Sequence, residues 1–294
     1  MKFSIVLPRS QWWQCLDDIA CCLTDALRKA GHEATIFPEF DSGIDQWRTG
    51  DSGRTEQCFQ VVIGAHRESV ILPTYTIIIY QTEVSGSGSF PASYAEKLKR
   101  ALCVWDSAPG YGTGDAVVEP GLFLQRVRPI TQDIGILFYG SLTDRRIELL
   151  TKLHDAGLGL ECHFNVFGEE RNVLIDRAKV IVDIKQREDD PSDKTRTFFL
   201  DSRGACVLTE NDTNSGRRLS PARIVEQCRT LLADAEMREV HAASRRGELK
   251  PTDVSAGIKA LEDKLSLRRV LKEVASEFDR HVEQRGNGAA HHPA

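Results

Sequence analysis

Between Ile134 and Glu210 the chain gathers side chains suited to holding a polyanion. Gly140 and Ser141 end the apolar run Ile134–Tyr139 just ahead of a helical pattern. Backbone amides at a helix start favour negative charge. Arg145 and Arg146 follow within that helix, with delocalised charge and forked donors that match phosphate oxygens. Arg171, Lys179 and Arg196 are further cations near strand or helix ends. Glu210 closes the run Ala205–Thr209, where a carboxylate can accept from both hydroxyls of a ribose. Together these groups suit a nucleoside diphosphate. Taken singly, Arg145, Arg146 and Arg171 read as well as a solvated helix face.

A second set lies in the first half. Three successive strand patterns end on polar groups: His66 with Arg67, then Glu83, then Asp106 with Ser107. Parallel strands would bring these to one edge as an acid–base cluster, although each alone also suits an ordinary loop. Trp12 and Trp13 follow the first strand and can stack on a sugar or base, or pack together at a domain junction. Val84–Ser89 is rich in Gly and Ser, which fits a phosphate or acceptor loop or a plain linker; it lacks the lysine and spacing of a P-loop. The first turn, Leu7–Trp12, has no GxGxxG pattern, which counts against a dinucleotide oxidoreductase.

Alternating strands and helices must position these groups. Phe3–Leu7 is a short apolar run stopped by Pro8. Leu16, Ile19, Ala20, Leu23, Leu27 and Ala30 then form one helical stripe, and Gly31 ends it. Ala34–Phe37 completes a βαβ unit. Asp41–Thr55 reads as a long polar loop. Phe59–Gly64, Thr76–Tyr80 and Ala101–Trp105 read as strands, with a helix over Tyr94–Arg100. Pro109–Gly121 reads as irregular, and Gln125–Asp133 as the linker between halves. The second half repeats the alternation. Its helices are predicted over Asp144–Ala156, capped by Thr143, and over Asn172–Ala178 and Asp193–Ser202. Its strands are Ile134–Gly140, Leu160–Val166, Val180–Ile184 and Ala205–Thr209, with Gly168–Arg171 as a loop. Such open parallel sheets bind ligands at the carboxyl edge of their strands.

The expected class is α/β: two doubly wound parallel-sheet domains over residues 1–128 and 129–219, carboxyl-terminal helices over 220–282 and a disordered tail over 283–294. At 294 residues with 41% apolar content the chain can bury two cores. The formal charge of −5 gives no global attraction to nucleic acid or anionic lipid. The eight cysteines form no CxxC pair and sit mostly in apolar runs, which predicts a reducing cytoplasm and no zinc site. No signal peptide and no membrane span are expected.

The motifs also carry a resemblance. Phe138–Ser141, Arg145–Arg146, Gly168–Arg171, Ala178–Val182, Arg196 and Val207–Glu210 resemble the motif string of a group of bacterial and phage GT-B glycosyltransferase-like proteins. Tyr80–Glu83 and Val104–Ser107 fall where that group has its own strand-end motifs, and the likeness spans residues 1–212. It implies a GT-B fold of two Rossmann-like domains. The second would hold a nucleotide-sugar donor, here a UDP-sugar, and the first the acceptor, with no bound metal. Asp183 and Lys185 stand where that group tends to have asparagine and histidine, and Asp193 where a glutamate usually precedes the arginine.

The resemblance therefore implies a cytoplasmic, metal-independent hexosyl- or pentosyltransferase. Glu83 or Asp106 would remove the acceptor proton. Gly140, Ser141, Arg145, Arg146, Arg171, Lys179 and Arg196 would hold the diphosphate, and Glu210 the ribose. Trp12, Trp13 and His66 would meet the acceptor: a hydroxylated base in DNA, a glycan or a small molecule. Alanine at Arg145 and Arg146 would abolish donor binding and leave the fold intact. The alternative is a GT-B-like module that binds a nucleotide or partner without catalysis. The helices after Ser220 either cross back to the first domain or form a homodimer contact.

Overall fold

The computed structural model describes residues 1–7, 16–37, 58–66, 77–82, 92–111, 114–121, 131–186, 194–210 and 218–288. Trp12, Trp13, Glu83, Asp193, the 41–55 loop, the 84–89 loop and residues 289–294 lie outside the described residues.

The first sheet has six strands: β1 (Lys2–Val6), β2 (Glu33–Phe37), β3 (Cys58–Ile63), β4 (Ile77–Gln81), β5 (Cys103–Asp106) and β6 (Ala116–Val117). Their order is β2-β1-β3-β4-β5-β6, and every pairing is parallel. Parallel strands are covered on both faces, so they read as near-continuous apolar runs. Phe3 and Ile5 of β1 face Ile19, Leu23 and Leu27 of α1 (Asp17–Lys29). Val6 faces the other way, into a cluster with Val62, Ile79 and Tyr94 of α2 (Ala92–Arg100). The β6 strand falls in the segment expected to be irregular. It pairs through only two positions, too short to leave a periodic signal.

The second sheet runs β10-β9-β7-β8, all parallel: β7 (Ile134–Tyr139), β8 (Leu160–His163), β9 (Ala178–Asp183) and β10 (Val207–Thr209). Ile136 and Phe138 pack on Leu149, Leu150 and Leu153 of α3 (Asp144–Asp155) and on Ile224 and Cys228 of α6 (Pro221–Ala233). Leu137 and Tyr139 pack on the opposite side, with Leu174 and Ile175 of α4 (Gly168–Arg177) and Phe199 and Leu200 of α5 (Lys194–Ser202). Several boundaries differ from expectation, two of them just before and at the start of α4. β8 stops at His163, followed by Asn165 at φ +57. Gly168–Arg171 is not a loop but the first turn of α4, where Glu169 and Glu170 complement the helix dipole.

The carboxyl-terminal helices divide between the domains. α6 and α7 (Ala235–Gly247) stay on the second. Arg245 of α7 donates through Nε to Asp201 of α5 at 2.7 Å. α8 (Ser255–Gly288) crosses back to the first domain and runs to Gly288, so residues 283–288, expected to belong to a disordered tail, are helical. Val254 and Leu261 enter the first core, and Trp105 Nε1 donates to the Gly257 carbonyl at 3.1 Å. A Cβ at Gly257 would sit 2.7 Å from the Trp105 ring, so only glycine allows this approach. The two interdomain crossings touch: the Gly121 amide donates to Thr252 Oγ1 at 2.7 Å, and Cys22 Sγ of α1 lies 2.8 Å from the same hydroxyl. Among the described residues, no helix is long and apolar enough to cross a membrane.

Candidate active site

The site is built at the carboxyl edge of the second sheet. β7 ends at Tyr139 and the chain turns at Gly140, whose φ of +138° suits glycine. A Cβ there would stand 3.3 Å from Arg196 Nη1. The Gly140 amide donates to the His163 carbonyl at 3.1 Å, so it is spent within the sheet rather than offered to an anion. This removes Gly140 as a donor group and leaves it as the turn that brings the cations close. Thr143 caps α3, as expected, by accepting from the Arg146 amide.

Arg146 is only 5% exposed, not a solvated face. Its Nε and Nη2 donate to the Ile184 carbonyl at 2.8 and 2.6 Å. Its Nη1 donates to the Ser141 carbonyl at 2.8 Å and to Ser141 Oγ at 3.2 Å. The guanidinium thus ties the loop after β7 to the end of β9. It shapes the site and does not present its fork to a ligand.

Arg145 is the outward neighbour. Nη1 donates to the Lys185 carbonyl at 2.7 Å and Nη2 to Glu210 Oε2 at 2.6 Å. Glu210 is 3% exposed at the end of β10. Its second oxygen, Oε1, and the Arg145 Nε are buried and have no hydrogen-bond partner among the described residues. Leaving a buried charged acceptor unmade is costly, so such an atom calls for a ligand donor. Arg196 completes the set. Its guanidinium lies over the Tyr139 ring at 4.2 Å, donates to the Tyr139 carbonyl at 2.8 Å and pairs with Asp183 at 3.2 Å. Asp183, a departure from the resembling group, is therefore the counter-ion of Arg196.

Two expected donor groups stand elsewhere. Lys179 lies near the amino end of β9, one residue after Ala178, the register partner of Ile134, whereas Asp183 ends that strand. Four residues at roughly 3.3 Å each separate them, the length of the sheet. Arg171 is buried and lies over the Phe199 ring at 4.1 Å. Its Nη2 donates to Asp18 Oδ2 of α1 at 2.8 Å, joining the two domains. Burial, and then the neighbouring Asp18, push the Asp17 carboxyl up, with Arg171 opposing.

In the first domain, β3, β4 and β5 are adjacent and parallel, so His66 and Asp106 lie on one edge, while Glu83, the third expected member, lies outside the described residues. Asp106 is buried, and its Oδ2 accepts from the Gly114 amide at 2.9 Å. His66 is buried edge-on to Tyr94, with ring centroids 6.1 Å apart. Tyr94 in turn donates to Gln81 Oε1 at 3.3 Å. Among the described residues no group of His, Cys, Asp and Glu is placed to hold a metal ion. Sequence reasoning missed Tyr139 as the bed of Arg196 and Asp18 as the partner of Arg171. Tyr139 lies within the Phe138–Ser141 motif but was given no role of its own, and Asp18 carries no motif.

Two doubly wound parallel sheets, with a terminal helix that leaves the second domain to pack on the first, make the GT-B fold of glycosyltransferases. No protein-family model matches the sequence, and no curated protein matches it. Solved structures do match. An α-glucosyltransferase in complex with UDP and a 13-mer DNA containing an HMU base aligns at TM-score 0.53 and 11% identity, over 90% of this chain and 99% of that one. AviGT4, a glycosyltransferase involved in avilamycin A biosynthesis, aligns at TM-score 0.52 and 14% identity, over 91% of this chain and 98% of its own. At such identities the likeness concerns the fold.

Proposed function

We propose that this chain is a glycosyltransferase. It takes a sugar from a UDP-sugar bound to the second domain and passes it to an acceptor hydroxyl held by the first. The observation that carries this reading is the buried Arg145–Glu210 pair, in which Glu210 Oε1 and Arg145 Nε have no hydrogen-bond partner among the described residues. A ribose hydroxyl would donate to Glu210 Oε1. Arg145 and Arg196, with the start of α3, would offset charge growing on the leaving diphosphate. Those cations supply the role a metal plays elsewhere, so transfer is expected without one. Asp106 or Glu83 would serve as general base, a contribution on the order of 10² to 10⁴ in rate for an inverting reaction. This reading gives Lys179 and Arg171 no part in donor binding, because both stand away from the Arg145–Glu210 edge. Asp183, through its pair with Arg196, reads as an adapted position rather than a lost one.

The acceptor is a hydroxyl on a modified DNA base, a glycan or a small molecule. The DNA-bound α-glucosyltransferase gives the first of these the first trial. The test is UDP release from UDP-sugars in the presence of EDTA, with hydroxymethylated DNA, oligosaccharides and small polyols as acceptors. Turnover with one acceptor class supports the reading and names the class. UDP binding with no turnover on any of them would leave a nucleotide-binding module instead.

A further inference from the structure

The Ser141 hydroxyl stands exposed at the turn after β7, among groups that donate to it. Arg146 Nη1 donates to its oxygen at 3.2 Å, and Gln186 Nε2 donates to the same oxygen at 3.1 Å. A serine hydroxyl accepts at two lone pairs and donates one proton. Both lone pairs are thus filled from within the protein. The proton remains, and among the described residues no group accepts it. Its direction is set by exclusion, because the two donors occupy the other positions around the oxygen.

The surroundings define what that proton would meet. A carbon added at Gly140 would lie 3.3 Å from Arg196 Nη1 and 3.7 Å from Arg146 Nη1, so two guanidinium groups crowd the same turn. A guanidinium has donors and no acceptor. Asp183 and Glu210 are already paired with Arg196 and Arg145. A group arriving here has to accept from several donors at once, as a phosphate oxyanion does.

Gln186 is an uncharged, exposed residue just past β9. Its carbonyl accepts from Thr143 Oγ1 at 3.5 Å while its side-chain amide reaches Ser141, so it spans both flanks of the loop before α3. We propose that Gln186 is a positioning residue of the donor site. By filling the second lone pair of Ser141 Oγ, it turns the hydroxyl proton outward to the diphosphate of the bound nucleotide. Without that amide the hydroxyl regains a free lone pair and rotates between positions. The inference rests on the donor reading above and extends it to a residue that acts through Ser141.

Isothermal titration of UDP into the wild-type chain, Ser141→Ala, Gln186→Met and the double variant S141A/Q186M tests it. The wild type should bind. S141A should lose about tenfold in affinity, the worth of one hydrogen bond to a charged group. Q186M keeps the length of the side chain without its amide and should weaken binding by a smaller factor. The double variant should bind no worse than S141A, because Gln186 acts only through that hydroxyl. The ligand-free melting temperature of Q186M should match the wild type, since Gln186 is exposed. Failure of the wild type to bind UDP overturns the donor reading and this inference with it. If the wild type binds, three results overturn the role of Gln186 alone: S141A or Q186M without effect, losses that add in the double variant, or a lowered melting temperature in ligand-free Q186M.

Discussion

Arg145 and Glu210 face each other across the edge of the second sheet, Nη2 to Oε2 at 2.6 Å, with the carboxylate 3% exposed. The two residues come from different elements, α3 and the end of β10, 65 positions apart. Their pairing closes the sheet edge from opposite sides and leaves one donor and one acceptor unspent.

Removing Arg145 alone strands a buried carboxylate. Arg145→Ala is expected to destabilise the fold by roughly 3 kcal/mol in urea denaturation, because the desolvated charge loses its partner. Glu210→Gln keeps the shape and an acceptor, so it should cost less. The double variant R145A/E210A should lose less than the sum of R145A and E210A, since the two groups are directly coupled.

Arg146 is expected to behave differently from the solvated or ligand-binding arginine its sequence position suggests. Its four donor contacts to the Ile184 and Ser141 oxygens hold the loop after β7. Arg146→Ala should therefore cost about 2–4 kcal/mol of stability, and the fold would not survive it unmarked. Arg146→Lys should recover little, because an ammonium cannot reproduce the planar fork. Lys179→Ala, at the far end of β9, should change neither the melting temperature nor nucleotide affinity.

The sequence made the parallel sheets legible because buried strands are short unbroken apolar runs with helical stripes between them. It also placed Gly140, Arg145, Arg196 and Glu210 together at the carboxyl edge of the second sheet, since each sits next to a strand end or helix start. What it could not show was direction. Arg145 and Arg146 are neighbours in one helix, yet one faces Glu210 and the other turns back into the loop. Only the three-dimensional position of the Ile184 carbonyl decides that. Arg171 was misplaced for a similar reason: its partner, Asp18, comes from the other domain, 153 residues away.

Gly140→Ala tests the turn itself. The added methyl would need φ near +138° and would stand 3.3 Å from Arg196 Nη1, displacing that cation. Both stability and UDP affinity are expected to fall. At Gly157, φ is +69° and no atom lies within 4 Å of the added carbon. Gly157→Ala should therefore cost about 1 kcal/mol of backbone strain and leave affinity untouched. Paired thermal melts with and without UDP separate the two effects.

Alkaline pH gives an independent probe of the packing. Burial pushes the Cys103 and Cys228 thiols from an ordinary 9.0 up to about 12. The folded state thus keeps these protons longer than the unfolded state does. The resulting stability is fully present below pH 9 and is lost as pH rises towards 12. Thermal melts across that range should show falling stability, and C103A/C228A should flatten the decline. An unchanged slope in that variant would show that other groups drive it.

The most direct measurement is isothermal titration of UDP into the wild-type chain and into E210Q and R145A, with EDTA and then with magnesium. UDP is expected to bind the wild type equally with EDTA and with magnesium. A ribose hydroxyl bonded to an ionised Glu210 predicts a loss of about tenfold or more in E210Q. Failure of UDP to bind the wild type, or equal affinity in all three proteins, would contradict the donor site drawn around Arg145 and Glu210.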